Sequence, residues 1–341
     1  MASFSIVLTT ILIVMGVSLA FAIGANDETL SALVGAGVVK FRVALLLGGF
    51  ATGFGMVFLS HGVGETVGED ILGSGVEYSY IMLLSVLISS ITWLIIGSFA
   101  GIPLSSTHST VGSIVGVLVV YALFHGGINP ANALNYGKLL EVVLGWFFSP
   151  AFGLIVTFVV FKVIAKLYLS RLKGLNQIEK SERRFNYLLF VAVLFAEIWV
   201  GANSAECIGI FYGLYNSSFI TIGQYWFFVV VCGLFVFLGI YIAGRFVIKN
   251  LASHMTGARP SEGVILQSSS ALILMIATFL GLPISHSHVI VFCIIGLNLS
   301  QNKEIDKKGI AKMGIYWFLT FPVAAILAGF IYWFFIIFGF I

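Results

Sequence analysis

Ser105, Ser106 and Thr107 stand directly behind the break Gly101-Ile-Pro-Leu, and Ser285, His286 and Ser287 stand directly behind Gly281-Leu-Pro-Ile. The two octapeptides, Gly101–His108 and Gly281–His288, are 180 residues apart and each interrupts a long apolar stretch. A Gly-Pro pair ends one helix, and small hydroxyl residues can open the next. Backbone N–H groups freed in hydrocarbon are costly unless something polar occupies the gap. An anion suits such a gap, because a helix N-terminus offers aligned donors and the positive end of its dipole. One such tip reads equally well as a capped helix holding water. Two tips at matching places in one chain read as the two sides of a single oxyanion site.

A second constellation pairs Gly24-Ala-Asn-Asp27 with Gly201-Ala-Asn-Ser204. Asp27 and Glu28 close the first apolar run, while Glu197 and Glu206 bracket the matching place in the second half. Carboxylates at membrane depth are expensive and face a cavity or a partner. No Lys or Arg lies close in sequence, so a hard cation such as sodium is the expected counter-charge, held by Asn26, Asp27, Asn203 and Ser204. Placement of Asp27 and Glu28 in the interface at a helix end is the alternative. Glu197 and Glu206 are open between a cation and a proton as partner.

The histidines divide by position. His108 and His288 are equivalent in the two octapeptides and read as hydrogen-bonding braces for the tips. His286 replaces the Ser106 of the first tip, where it can donate to an anion or titrate near neutral pH. His61, His125 and His254 fall near loops and need no chemical role. Neither zinc-ligand nor nucleophile–base spacing is visible, and Cys207, Cys232 and Cys293 are scattered, so an enzyme is not expected.

The elements that must position these residues are membrane helices. The chain is 60% hydrophobic and 9% charged, with mean hydropathy +1.09, far from a soluble profile. Phe4 to Ala25 carries no Lys or Arg and reads as a retained span rather than a cleaved signal. Further apolar segments run over 43–60, 79–100, 109–125, 139–161, 186–202, 225–244, 264–280, 289–300 and 313–338. The short segments 109–125 and 289–300 follow the two breaks, so 79–100 pairs with 109–125, and 264–280 with 289–300, as hairpins. The expected architecture is an all-α polytopic membrane protein with an inverted-topology repeat, six full spans and two helical hairpins whose tips lie in the membrane.

Charge orients it. With the N-terminus outside, 16 of the 17 Lys and Arg fall on inside loops, and only Lys138 falls outside. The net charge of +3 therefore reflects topology and gives no reason to expect nucleic acid. Each half holds three spans and one hairpin, so the second half starts on the opposite side. Residues 1–161 form the first repeat, 162–184 a cytoplasmic linker with seven basic residues, and 185–341 the second repeat. Trp146-Phe-Phe-Ser-Pro150 echoes Trp317-Phe-Leu-Thr-Phe-Pro322 across them.

At these residues the chain resembles the inorganic phosphate transporter (PiT) family of sodium- or proton-coupled symporters. The family carries a Gly-Ala-Asn-Asp signature and a Gly-x-Pro-x-Ser-Thr-Thr-His-like tip in each half. Gly24–Asp27, Glu65-Thr66, Gly101–His108, Gly244-Arg245, Gly281–His288, Trp317 and Pro322 fit it, along nearly the whole chain. The resemblance implies a secondary active importer of inorganic phosphate coupled to sodium, without a cofactor. It further implies a homodimer in the plasma membrane, both termini outside, with the anion held between the tips at the midplane. Among the departures, Ser204 replaces an aspartate, Leu30 and Cys207 replace asparagines, and His286 replaces a threonine. These departures leave open a sulfate or other oxyanion permease, and proton coupling. Glu206 lies two residues beyond Ser204, which on a continuous helix turns it about 200° round the axis.

Overall fold

The computed structural model describes residues 2–99, 104–124, 132–246, 248–249, 259–305 and 307–339. Gly101–Pro103 of the first break, His125 and His254 lie outside them. In hydrocarbon every backbone polar group must be satisfied within the segment, so apolar runs rich in Leu, Ile, Val and Phe coil into helices whatever their β-propensity. The first half contains α1 (Ala2–Ala25), the short α2 (Ser31–Gly35), α3 (Phe41–Leu59) and α4 (His61–Glu65), which continues as a π-helical turn over Thr66–Asp70. The hairpin α5 (Tyr80–Phe99) and α6 (Ser106–Phe124) follows, then α7 (Tyr136–Leu167). The second half contains α8 (Leu175–Asn203), α9 (Glu206–Asn216) and α10 (Ile222–Gly239), then the hairpin α11 (Pro260–Phe279) and α12 (His286–Ser300), and finally α13 (Lys307–Ile337). Among the described residues there is no strand, only an isolated bridge between Leu72 and Leu134.

Among the described residues eight helical stretches are long and apolar enough to cross a membrane. Six of them, built on α1, α3, α7, α8, α10 and α13, are the six full spans expected. The other two are the hairpin arms α6 and α11. The arm α6 is longer than its apolar pattern, beginning at Ser106 and reaching 19 residues. Its first turn needs no intrahelical partners for its N–H groups, so the polar Ser106, Thr107 and His108 join the helix without breaking it.

The two halves interlock reciprocally. Extensive packing joins α6 to α13 and α12 to α7, each hairpin arm lying on the last long helix of the other half. Likewise α1 lies on α10, and α3 on α8. This exchange is what a two-fold relation between inverted halves produces. Gly24 and Gly201, the first residues of the two signatures, permit close backbone approaches. A Cβ at Gly24 would strike the Val236 carbonyl oxygen, and one at Gly201 the Thr52 carbonyl oxygen. Small residues at such crossings let backbones meet where no hydrophobic force pulls helices together.

The outer face is apolar, with Phe147, Phe318 and Ile326 exposed, while Ser89, Ser90, Ser109 and Ser113 are buried between α5 and α6. Ser113 Oγ donates to Ser89 Oγ at 3.0 Å, and Ser89 Oγ donates to the Ala324 carbonyl of α13 at 2.9 Å. At one end Lys138 pairs with Asp70 at 3.4 Å. At the linker end Glu182 accepts from the Ser261 N–H and hydroxyl at 3.0 and 2.8 Å, tying the start of α8 to the start of α11.

Candidate functional site

Both signatures are helix ends. After α1, the Asn26 side-chain amide donates to the Ala22 carbonyl at 3.0 Å, and Asp27 Oδ1 accepts from the Thr29 N–H at 2.9 Å. This is an aspartate turn that stops the helix and points the remaining carboxylate oxygen away from the backbone. After α8 the chain breaks at Ser204-Ala205 and restarts at Glu206. Because α8 and α9 are not one continuous helix, the 200° rotation expected of Glu206 does not apply, and its carboxyl group turns instead to the first hairpin.

Side chains latch the second break. Asn203 Nδ2 donates to the Leu282 carbonyl at 3.0 Å and to Thr278 Oγ1 at 3.1 Å, and Asn203 Oδ1 accepts from the Ile284 N–H at 3.0 Å. Thr66 Oγ1 donates to the Gly281 carbonyl at 2.7 Å, and the Trp146 indole to the Pro283 carbonyl at 2.9 Å. Gly281 itself turns with φ +65°, a conformation that favours glycine. Backbone groups that a break frees inside a membrane are thus satisfied by three side chains, Thr66 of the π-helical turn after α4, Trp146 of α7 and Asn203 of α8.

The first tip is capped by Ser105, whose Oγ accepts from the His108 N–H at 3.2 Å and lies 2.7 Å from His108 Nδ1. Ser106 Oγ and Thr107 Oγ1 donate to Glu206 Oε1 at 2.9 and 2.6 Å. Thr107 Oγ1 also reaches the Ile284 carbonyl at 3.3 Å, so the two tips touch. At the second tip Glu28 meets His286 Nδ1 at 4.0 Å and Ser287 within hydrogen-bonding reach. Each tip therefore faces a glutamate from beside a signature. Behind the tips the rings pack in the order Trp146, His108, His288, Trp317, each tilted against the next, with centroids 4.0, 4.7 and 3.9 Å apart. Ring packing on the two-fold relation is added to the bracing expected of these histidines.

A cavity of about 60 Å³ opens between the tips. Ser105, Ser106, Thr107, Ser285, His286 and Ser287 all line it, as do Asn26, Asp27, Glu28 and Ser204. Asn203 lies behind the wall as the latch of the second tip, and Glu197 and Glu206 reach the cavity through their neighbours. Thr52 Oγ1, which borders the cavity, donates to Glu197 Oε2 at 2.6 Å. Glu197 also lies within hydrogen-bonding reach of Asp27. Among the described residues no donor reaches the buried oxygens Asp27 Oδ2, Glu197 Oε1 and Glu206 Oε2. No Lys or Arg among the described residues lines the cavity. Buried acceptor oxygens without donors suit a hard cation or a proton.

Three contributors were not legible as site residues. Thr52 sits within the apolar run of α3 and carries no local signal. Thr66 stands in the Glu65-Thr66 pair, which only the family resemblance singles out, and Trp146 has its echo in Trp317, which only repeat comparison singles out.

Comparison with known proteins adds independent findings. The sequence pattern of the phosphate transporter family matches residues 23–328. A protein of Thermococcus kodakarensis described as a phosphate permease is 28% identical, over 94% of this chain and 96% of its own length. One of Bacillus subtilis described as a low-affinity inorganic phosphate transporter is 25% identical, over 96% of this chain and 97% of its own. The solved structure titled "The sodium-dependent phosphate transporter" superposes with TM-score 0.85 at 24% identity, covering 97% of this chain and 99% of that one.

Proposed function

This chain belongs to the phosphate transporter family, an integral membrane transporter and no enzyme, and from that premise we propose that it imports inorganic phosphate coupled to sodium. The anion is held between the two tips by Ser105, Ser106, Thr107, Ser285, His286 and Ser287, with backbone N–H groups at the helix starts sharing the load. The observation that carries this reading is the convergence of both tips' donors on one cavity, where some already hold carboxylate oxygens of the protein. Donors that hold a carboxylate suit another oxyanion.

Sodium is carried as co-substrate by Asn26 and Asp27 of the first signature and Ser204 of the second, while Asn203, expected as a further ligand, holds the second tip with its amide instead. In support, Asp27 Oδ2 is a buried acceptor without a donor, and the lining offers no Lys or Arg. An anion entering beside Asp27 and Glu28 needs cationic charge, so each ion favours the binding of the other, which is the root of coupling. Repeats 1–161 and 185–341, joined by the cytoplasmic linker 162–184, expose the site alternately to the two faces. The protein acts in the plasma membrane, both termini outside, as a homodimer.

Proton coupling is the second reading, favoured by the closeness of Asp27 and Glu197, since one shared proton would satisfy both carboxyl groups. Radiolabelled phosphate uptake into proteoliposomes separates the two. Accumulation that follows an inward sodium gradient supports the first, and accumulation driven by a proton gradient without sodium the second. Sulfate uptake in place of phosphate would replace the substrate.

A further inference from the structure

Glu206 is fully buried at the start of α9. Its Oε1 accepts from Ser106 and Thr107, both of which line the cavity, while its Oε2 has no partner. Hydroxyl donors serve sulfate as well as phosphate, so the tips alone do not distinguish tetrahedral oxyanions. A carboxylate does, because it only accepts hydrogen bonds. Phosphate near neutral pH keeps at least one O–H, whereas sulfate has none. We propose that Glu206 is a specificity-determining residue that selects oxyanions still bearing a proton, its free oxygen accepting the O–H of bound phosphate. Sulfate at the same tips sets acceptor against acceptor in a cavity without Lys or Arg. A site built to pair with a ligand hydroxyl rejects analogues that lack it, because the buried group is left unpaired. The assignment rests on the anion site proposed above and names the class of substrate that site takes.

The test is inhibition of radiolabelled phosphate uptake by arsenate, which keeps a proton, and by sulfate, which does not. Wild-type protein is expected to be inhibited by arsenate and not by sulfate. Glu206→Gln keeps a carbonyl oxygen for Ser106 and Thr107 and replaces the free acceptor with an amide donor. The sulfate inhibition constant of this variant, relative to that of arsenate, should fall roughly ten- to a hundredfold, the range of a hydrogen bond to a charged group. Glu206→Asp retains the carboxylate and should keep the wild-type ratio. If Glu206→Gln no longer transports, the same ratio is read from thermal stabilisation of the purified variant by phosphate, arsenate and sulfate. An unchanged ratio in Glu206→Gln overturns the role of Glu206 while phosphate uptake by the wild type stands. Wild-type protein that takes up sulfate and not phosphate overturns both.

Discussion

The proposed coupling rests on Asp27. One of its oxygens is spent on the Thr29 turn and the other is buried without a donor. Asp27→Asn keeps the turn and removes the charge, so uptake should lose its dependence on sodium, together with most of its rate. Full sodium dependence in that variant would remove Asp27 from the cation site. Thr66 tests the latch in a different way, since it contacts the Gly281 carbonyl and not the cavity. Thr66→Val keeps the shape and leaves that carbonyl short of a donor, a loss of about 1 kcal/mol or more. The KM for phosphate should rise roughly five- to tenfold, in keeping with that free energy. An unchanged KM would mean that the second tip is held without it.

At the scale of elements, the signatures do two jobs with adjacent residues. Their asparagine and aspartate positions end a helix at the cavity, while their glycines let that helix touch the opposite half. Gly201→Ala places a Cβ against the Thr52 carbonyl, which belongs to backbone and cannot rotate aside. Helices α3 and α8 must separate, and overpacking of this kind costs about 1–3 kcal/mol. Thermal unfolding in detergent should show a lowered Tm for Gly201→Ala. Gly223→Ala, where no atom lies within 4 Å, serves as the unaffected comparison. Equal melting of the two variants would contradict the packing argument.

The whole molecule is two interlocked halves whose hairpin tips meet. Its orientation can be read by labelling, because Cys207, Cys232 and Cys293 are all buried and give little background. A membrane-impermeant maleimide should modify Lys138→Cys in intact cells and Lys173→Cys only after permeabilisation. The reverse pattern would invert the proposed topology and with it the faces from which the hairpins enter.

Much of this was written locally in the chain. Apolar runs of membrane length specify helices because lipid offers the backbone no other partner. Two Gly-Pro breaks followed by hydroxyl residues mark the tips, and the recurrence of both motifs marks the repeat. Those signals depend only on neighbours in sequence, so six spans, two hairpins and, of the cavity's lining, Asn26, Asp27, Ser204 and the six tip residues followed from the motifs. What Asn203, Glu206, Thr52 and Thr66 do depended on contacts between residues far apart in the chain. The break at Ser204 redirects Glu206 to a hairpin 99 residues away in sequence, and Asn203 spends its amide on a tip 79 residues further on. A side chain's partners across such separations are set by how the two halves interlock, and only the tertiary structure fixes that.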